Sequence, residues 1–503
     1  MSPIAHRSPL ARPGAAALLA WMLAGCVGPK YRPPVTQAPP AYKESPTQFK
    51  ESDGWKVAQP QDAMLRGKWW EIFGDPELNR LEELVYFDNQ NIKQFFENYM
   101  AARAIVREAR SQYFPLVTAT PSWNRARSSG TLSSSSFFTG QTSTLISLPV
   151  DVSWQPDLFG RIRNTVRANQ YAAQVSAADL ENELLSEQAS LAEFYFEIRG
   201  QDTLQKILNE TVEADKKSLE LAKARYETGV DDQLSVVQAQ ATLESAQALA
   251  INVALARAQF EHAVAVLIGK APSVFSIPVK PTIAAPPPIP IGLPSQLLER
   301  RPDIAAAERA MASANAQIGI AYAAYYPNVT LTLSGGLESS TFERLFNWTS
   351  RVWSIGTSVS ETVFEGGLRR ATINQFIATY NATLAVYRQT VLTAFQQVED
   401  ALAGLRILSQ QVVREQEAVR SSEEFLRLEL GRYETGIDPY LNVVIAQTTL
   451  LSNQQILVAT QVSEMTSAVQ LILSLGGGWD RSQLPTPEQV THKPPKADTV
   501  IRH

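Results

Sequence analysis

Cysteine occurs once in 503 residues and histidine four times. A single cysteine excludes an intrachain disulfide. His6, His262, His492 and His503 are scattered along the chain and offer neither a His-based triad nor a clustered metal site. No phosphate-cradling Gly-Lys-Ser/Thr loop occurs. Glu399 and Asp400 adjoin on a helical stretch and point to different faces, which reads as surface charge. No catalytic residue is expected, although residue types alone leave room for a glycosidase that needs only two carboxylates. Beyond the N-terminus no apolar run of about 20 residues appears, so any membrane crossing falls to strands.

Proline is plentiful at 30 residues, yet none falls between Asp157 and Ala271 or between Asn328 and Asp438. Such stretches suit helices of unusual length. A helix from Arg161 to Thr228 would run about 100 Å at roughly 1.5 Å per residue. Leu184, Leu191, Phe194, Ile198, Leu204, Ile207 and Leu208 follow the mixed three-and-four spacing of a coiled-coil face. The partner stretch, Asp232 to Ile268, is crowded with alanines such as Ala239, Ala246, Ala250 and Ala256. Small side chains either let backbones approach on several sides or mark a solvated coiled coil, and composition leaves both open.

Tyr226-Glu227-Thr228-Gly229-Val230-Asp231 recurs 207 residues later as Tyr433-Glu434-Thr435-Gly436-Ile437-Asp438. Two copies of one unit are implied, each copy of the hexapeptide turning a long helical hairpin. Gly229 and Gly436 suit the left-handed residue that ends a helix, Asp231 and Asp438 suit caps of the next helix, and Pro439 suits its first position. Turn chemistry accounts for these residues by itself; that both tips face a partner or a gate is the alternative.

Ahead of the long helices the period changes. Pro327 to Ser334 alternates apolar and polar residues, and Ser354 to Ser360 continues more loosely. Pro115 to Asn124 and Leu145 to Trp154 hold the equivalent places in the first unit, separated by the Ser-rich stretch Ser128 to Ser136. Four strands of about 10 residues with one apolar face have the length to cross a bilayer. Trp123, Trp154, Trp348 and Trp353 lie near their ends, where interfacial anchors or ordinary packing would place them. An open four-stranded sheet has two unpaired edges, which a membrane does not tolerate. Two chains would give eight strands with a filled interior, whereas three would give twelve and leave a passage. A homotrimer is therefore expected.

Arg7 and Arg12 precede an apolar stretch from Ala15 to Leu23, and Leu23-Ala24-Gly25-Cys26 follows. This is the charge, core and small-residue order of a secretory signal. It resembles a bacterial lipobox, which implies a thioether-linked diacylglycerol and, after cleavage, an N-acyl chain on Cys26, with no other cofactor. Val27, in place of an aspartate, fits sorting to the outer membrane. Losing Arg7 and Arg12 moves the formal charge from -5 to -7, leaving no nucleic-acid footprint.

The chain thus divides into a signal (1–25), a lipidated arm (26–62), a first repeat (63–276) and a Pro-rich linker (277–294). A second repeat (295–478) and a flexible tail (479–503) follow. Strands are expected near 115–124 and 145–154 with a helical hairpin over 157–270, then near 327–335 and 352–364 with a hairpin over 367–475.

Cys26-Val27-Gly28-Pro29-Lys30-Tyr31, Trp69-Trp70 with Phe73, Asp75-Pro76-Glu77-Leu78, Asp157-Leu158-Phe159-Gly160-Arg161, Arg301-Pro302-Asp303-Ile304, Phe364-Glu365-Gly366-Gly367 and the two Tyr-x-Thr-Gly tips stand in that order. Together they resemble the lipoprotein branch of the TolC-like outer-membrane factors. The resemblance implies a mainly α fold with membrane β, built from a duplicated helix, β-hairpin, long helix, helix unit. It implies a homotrimer in the outer membrane of a Gram-negative bacterium, with a twelve-stranded β-barrel continued by a periplasmic α-helical barrel and with the linker and tail on the outside. The implied function is the channel of a tripartite efflux system, carrying drugs or other small molecules from an inner-membrane pump, usually of the resistance-nodulation-division class, and a periplasmic adaptor (membrane fusion protein). In that family the periplasmic helix ends close as an iris. The matching positions here are Tyr226, Gly229, Tyr433, Gly436, Leu441 and Ile445. Relatives commonly carry an aspartate before the Ala-Gln pair after the second tip, whereas Ile445 precedes Ala446-Gln447 here. A carboxylate ring is then absent at that level and Leu441 with Ile445 forms an apolar constriction, while Asp231, Asp232 and Asp438 still favour cations nearby. A type I secretion duct for a polypeptide is the second reading. A non-conducting periplasmic coiled-coil scaffold is the third, and it leaves the alternating strands unexplained. The duplicated helices argue against the glycosidase.

Replacing Cys26 by Ser should abolish acylation without preventing membrane insertion of the strands. Metabolic labelling with a palmitate analogue checks this, and label retained on the variant would contradict it.

Overall fold

A computed structural model of the chain describes residues 28–34, 38–44, 67–129, 142–289 and 294–492. Cys26 and the expected signal lie outside the described residues. The first unit contains α1 (Pro76–Asp88), α2 (Gln90–Ser111), β1 (Leu116–Ala119), β2 (Ser122–Arg127), β3 (Thr142–Trp154), α3 (Arg161–Glu227) and α4 (Gln233–Leu267). The second contains α5 (Pro294–Arg300), α6 (Pro302–Ala323), β4 (Asn328–Ser339), β5 (Arg351–Ser360), α7 (Leu368–Glu434) and α8 (Tyr440–Ser474), with α9 (Pro487–Thr491) after it. Both α3 and α7 are 67 residues long, and both α4 and α8 are 35. Equal lengths make the duplication structural rather than a recurrence of six residues. The glycines that precede α3 and α7 offer no side chain to the first free N–H groups. Instead the Asp157 carboxylate accepts from the N–H of Ile162 and Arg163 at 3.0 and 2.9 Å, and Glu365 accepts from that of Arg369 at 3.0 Å.

The strands pair antiparallel in the order β1, β3, β4, β5, with β2 also on β3. Four strands were expected and five segments occur, because the first expected strand is interrupted. Ala119 faces Val150 and Ser122 faces Ser147, so β1 and β2 keep a single register along β3. The break falls at Thr120 and Pro121, which come opposite Pro149 and Leu148: Thr120 still donates to the Pro149 carbonyl at 3.3 Å, but neither proline has an N–H for the ladder. The sheet therefore has four lanes. Its last strand stops at Ser360, short of residue 364, and Glu361 turns to pair with Arg369 at 2.7 Å.

Register sorts the two faces. Val117, Val152, Leu333 and Ile355 align across the four lanes, as do Ala119, Val150, Gly335 and Trp353. On the opposite face Thr118, Asp151, Ser334 and Ser354 align, and Ser147 donates to Glu338 at 3.2 Å. The apolar side is open: Trp123 is 67% exposed, Trp353 77% and Ile355 73%.

Below the sheet, α4 and α8 end where α2 and α6 begin. Asn89 accepts from the N–H of Asn91 and Ile92 at the start of α2 while its amide donates to the Leu267 carbonyl at the end of α4, 2.9 Å away. Arg301 repeats the arrangement, pairing with Asp303 at 2.6 Å and donating to the Ser474 carbonyl at 3.1 Å and to Gln397 at 2.8 Å. A cation on the carboxyl end of a helix is favourable. Gly269 and Gly476 sit at these junctions in left-handed backbone, and a Cβ on either would strike the carbonyl of Asp88 or Arg300. The four short helices thus form two end-to-end stacks.

Around this level lies the largest apolar cluster, including Trp69, Leu78, Leu81 and Val85 against Leu191, Tyr195, Ile198, Ile268 and Ile472. Asp202, buried beside it, binds Arg199 at 3.2 Å and Arg257 at 2.6 Å. The two guanidinium groups go on to the carbonyls of Pro278 and Ile277, at 2.7 and 2.8 Å, and the Lys280 N–H reaches Asp202 at 2.9 Å. The start of the Pro-rich linker is riveted to α3 and α4 by these bonds.

Two expectations need correction. Residues 479–492 of the expected flexible tail are docked: Trp479 and Val490 are buried, Arg103 donates to the His492 carbonyl at 2.7 Å, and Gln174 donates to that of Pro485, also at 2.7 Å. Helix α8 is long and apolar enough by composition to cross a membrane, contrary to the reading of no such stretch, but 44% of its most apolar window is buried inside the protein, along α3 and α7. Its hydrophobicity serves that packing.

Asp202→Ala would leave the buried Arg199 guanidinium without a carboxylate and Arg257 with Glu261 alone, which costs about 3–5 kcal/mol. Denaturation followed by helical circular dichroism should show a loss of that size, and a change under about 1 kcal/mol would contradict the clamp.

Candidate functional site

Both tips close by the same backbone bonds. The Val230 N–H reaches the Arg225 carbonyl at 2.9 Å and the Gly229 N–H reaches that of Tyr226 at 3.0 Å; Ile437 to Arg432 and Gly436 to Tyr433 repeat these distances. Gly229 (φ 73°) and Gly436 (φ 75°) supply the left-handed residue of this helix stop. The capping aspartates differ from expectation. Asp232, not Asp231, caps α4 by accepting from the Ser235 N–H at 3.2 Å, and Pro439 holds the cap position of α8 without a side-chain bond. Asp231 and Asp438 turn back toward the arginines preceding each hexapeptide, Asp231 to Arg225 at 3.8 Å and Asp438 to Arg432 at 3.1 Å.

The tips are joined. Tyr433, 1% exposed, donates its hydroxyl to Asp231 at 2.7 Å. Arg225 lies over the Tyr433 ring at 4.8 Å and donates to the Glu434 carbonyl at 3.0 Å. Tyr433 also packs edge-on against Tyr440 at 5.1 Å, within a cluster that includes Leu219, Leu243 and Val443. Burial opposes charge on Asp231, but hydrogen bonds from Tyr433, Ser235 and the Asp232 N–H, with the Arg225 charge, outweigh it and hold the carboxyl below its ordinary value. Stability from this bond is present above the usual carboxylate range and is lost as pH falls through the lowered value. Burial first, then the hydrogen bond to Asp231 and its charge, push the Tyr433 hydroxyl up, so it stays a donor.

The duplicate pair is not made inside the chain. Tyr226 is 47% exposed and Asp438 is held by its own Arg432. Leu441 and Ile445, one turn apart on α8, are each 49% exposed while neighbouring Tyr440 and Val443 are buried. The structure thus brings Tyr433 and Gly436 to the joined tips and leaves Tyr226, Leu441 and Ile445 on open faces. Arg225 and Tyr440 were missed by the sequence reading. The repeat in fact begins one residue earlier, at Arg225 and Arg432, and that extra identity was the available signal. Among the described residues no group of three or more His, Cys, Asp or Glu is arranged to hold a metal ion.

This architecture is found in known proteins. A family profile described as "Outer membrane efflux protein" matches residues 88–270 and 293–477. The "Antibiotic efflux pump outer membrane protein ArpC" of Pseudomonas putida is 30% identical over 485 residues, covering 95% of this chain and 98% of the relative. The "Toluene efflux pump outer membrane protein TtgC" of the same species gives the same identity and coverage. Among solved structures, the outer-membrane channel OprN superposes with a TM-score of 0.81 at 29% identity, over 90% of this chain and 99% of that one. With both repeats matched by the profile and whole-length relatives at this identity, the chain belongs to the outer membrane efflux protein family.

Proposed function

We propose that three copies of this chain close into an outer-membrane channel that serves as the exit duct of a tripartite efflux system. The observation that carries the reading is the four-lane sheet, with one apolar face, one polar face and two unpaired edges. Three copies supply three times four lanes, enough to close a barrel around a passage. The apolar side then meets lipid and the side with Asp151, Ser334 and Ser354 meets water. Relatives named as pump outer-membrane proteins support assembly with a periplasmic adaptor and an inner-membrane pump; the resistance-nodulation-division class of that pump follows from the family resemblance alone. Those two relatives carry different cargo names at equal identity, so the exported compounds do not follow from likeness. The anchor at Cys26 is supported by the arm that follows it: Pro29 accepts from Asn315 at 3.0 Å, and the Lys43 and Glu44 N–H groups bond to Glu399 at 2.7 and 3.0 Å.

The gate lies at the tips. Within one chain the Asp231, Tyr433 and Arg225 contacts bind the hairpins together, so opening takes place between chains, where Tyr226, Leu441 and Ile445 are exposed. An apolar ring of Leu441 and Ile445 is stabilised by burial against its symmetry mates, by about 1.5–3 kcal/mol for a fully buried side chain and less at a wet constriction.

The protein purified from membranes should be a trimer by native mass spectrometry and should conduct in planar bilayers; a stable monomer, or a trimer without conductance, would defeat the reading. Leu333→Arg, placing a charge on the apolar face, should weaken membrane assembly by about 2–4 kcal/mol if it sits at the midplane, read as loss of heat-modifiable trimer. Replacing Leu441 and Ile445 together by Ser should raise resting conductance at unchanged trimer yield. Wild-type conductance from that double variant would put the constriction elsewhere.

A further inference from the structure

Roughly 20 Å above the first tip, at about 1.5 Å per residue from Thr228, the seam between α3 and α8 holds an unpaired acid. Asp215 is 2% exposed, and neither of its carboxylate oxygens has a hydrogen-bond partner. Gln447, 7% exposed, donates through Nε2 to Ser218 Oγ at 3.1 Å and leaves its Oε1 unpartnered. Cavities of about 480 and 350 Å³ flank this pair, and Asp215 and Gln447 line both. The larger, between α3, α7 and α8, is walled by Leu426, Leu430 and Leu451.

The second repeat shows what this level of the seam needs for packing alone. Ser422 stands 207 residues beyond Asp215, and Asn453 donates to its hydroxyl at 2.6 Å while that hydroxyl donates to the Ala418 carbonyl at 2.7 Å. That copy is neutral and bonded. The first copy has a carboxylate in the same place whose two oxygens receive no hydrogen bond, which is costly for a group that only fills space. The charged groups lining the larger cavity are Glu210 and Lys217 of α3 and Glu434 of α7, all exposed. From α8 the Tyr440 hydroxyl is nearby, and the part of α4 that lines the smaller cavity brings no charge. Burial alone pushes the Asp215 carboxyl up, to about 6.

We propose that this seam binds an amphiphilic organic cation, its ammonium held by the Asp215 carboxylate and Gln447 Oε1 and its apolar body laid on the leucine wall. A metal ion fits less well, because the seam offers one buried carboxylate and the described residues contain no cluster of metal-binding side chains. The site goes beyond conduction, and it is tested by binding rather than by current. A raised carboxyl pKa means that the anionic form, and with it cation binding, is gained as pH rises through that value.

The test uses the full-length protein in phosphatidylcholine nanodiscs, with hexylammonium as probe in isothermal titration. Saturable binding at pH 7.5 should weaken at least tenfold at pH 5 and in Asp215→Asn. Methylammonium, without the tail, and hexanol, without the charge, should each bind at least tenfold more weakly. Gln447→Met, which removes the second acceptor and keeps the carboxylate, should weaken the probe about threefold or more with the trimer intact. Equal affinity in wild type and Asp215→Asn, or affinity unchanged between the two pH values, would overturn the assignment. So would Asp215-dependent binding of magnesium without binding of the ammonium.

Discussion

Backbone N–H and C=O groups that face hydrocarbon must be satisfied by one another, and the sheet of this chain satisfies all but its outermost rows. Free edges on β1 with β2 and on β5 cannot be left in a membrane, so the chain is incomplete as a membrane object and further copies must supply the missing ladders. The helices inherit that arrangement. Each lane runs on into one helix, and α2, α3, α6 and α7 contact one another in the same lateral order as the lanes above them. A ring closed in the sheet is therefore closed in the helices, and strand pairing sets the circumference of both.

A wall of single helices about 100 Å long would be a poor beam without bracing at mid-length. The bracing comes from the junctions where α4 meets α2 and α8 meets α6. There the last carbonyls of one helix are satisfied by Asn89 or Arg301 at the start of the next. Each long helix thus has a full-length companion made of two pieces. The Asp202 clamp fixes the linker at the same level, and the arm and docked tail pack on the helices toward the sheet.

Much of this was legible, and the reasons differ by element. The 67-residue helices show in the sequence because proline is absent for over a hundred residues, a one-sided signal that tertiary contacts rarely override. The second repeat's strands show because Val329, Leu331 and Leu333 alternate with threonines. The interruption of the first strand was not legible, since it depends on Pro149 falling opposite Thr120, beside Pro121, a register fact. The docked tail was misread for a similar reason. Proline and polar residues around Trp479 and Val490 look like a loose end until Arg103, nearly four hundred residues upstream, is brought to their carbonyls.

The tips show the limit most sharply. Local rules identified Gly229 and Gly436 as helix stops, and they assigned identical work to Asp231 and Asp438 because the four residues from Tyr to Gly that precede them repeat. Their partners are not identical. Asp231 receives the Tyr433 hydroxyl from the other repeat, while Asp438 stays with Arg432 and Tyr226 remains exposed. A duplicated motif in a single chain can satisfy itself on one side only, because the first tip meets the second on one flank and the second tip's far flank has no further copy to meet. The open flank is a consequence of chain length, not of residue type. A closed ring of such chains alternates a seam locked by a buried tyrosine with a seam between chains whose lock must form on assembly. The weaker seam is then the one where a channel built from this unit can part.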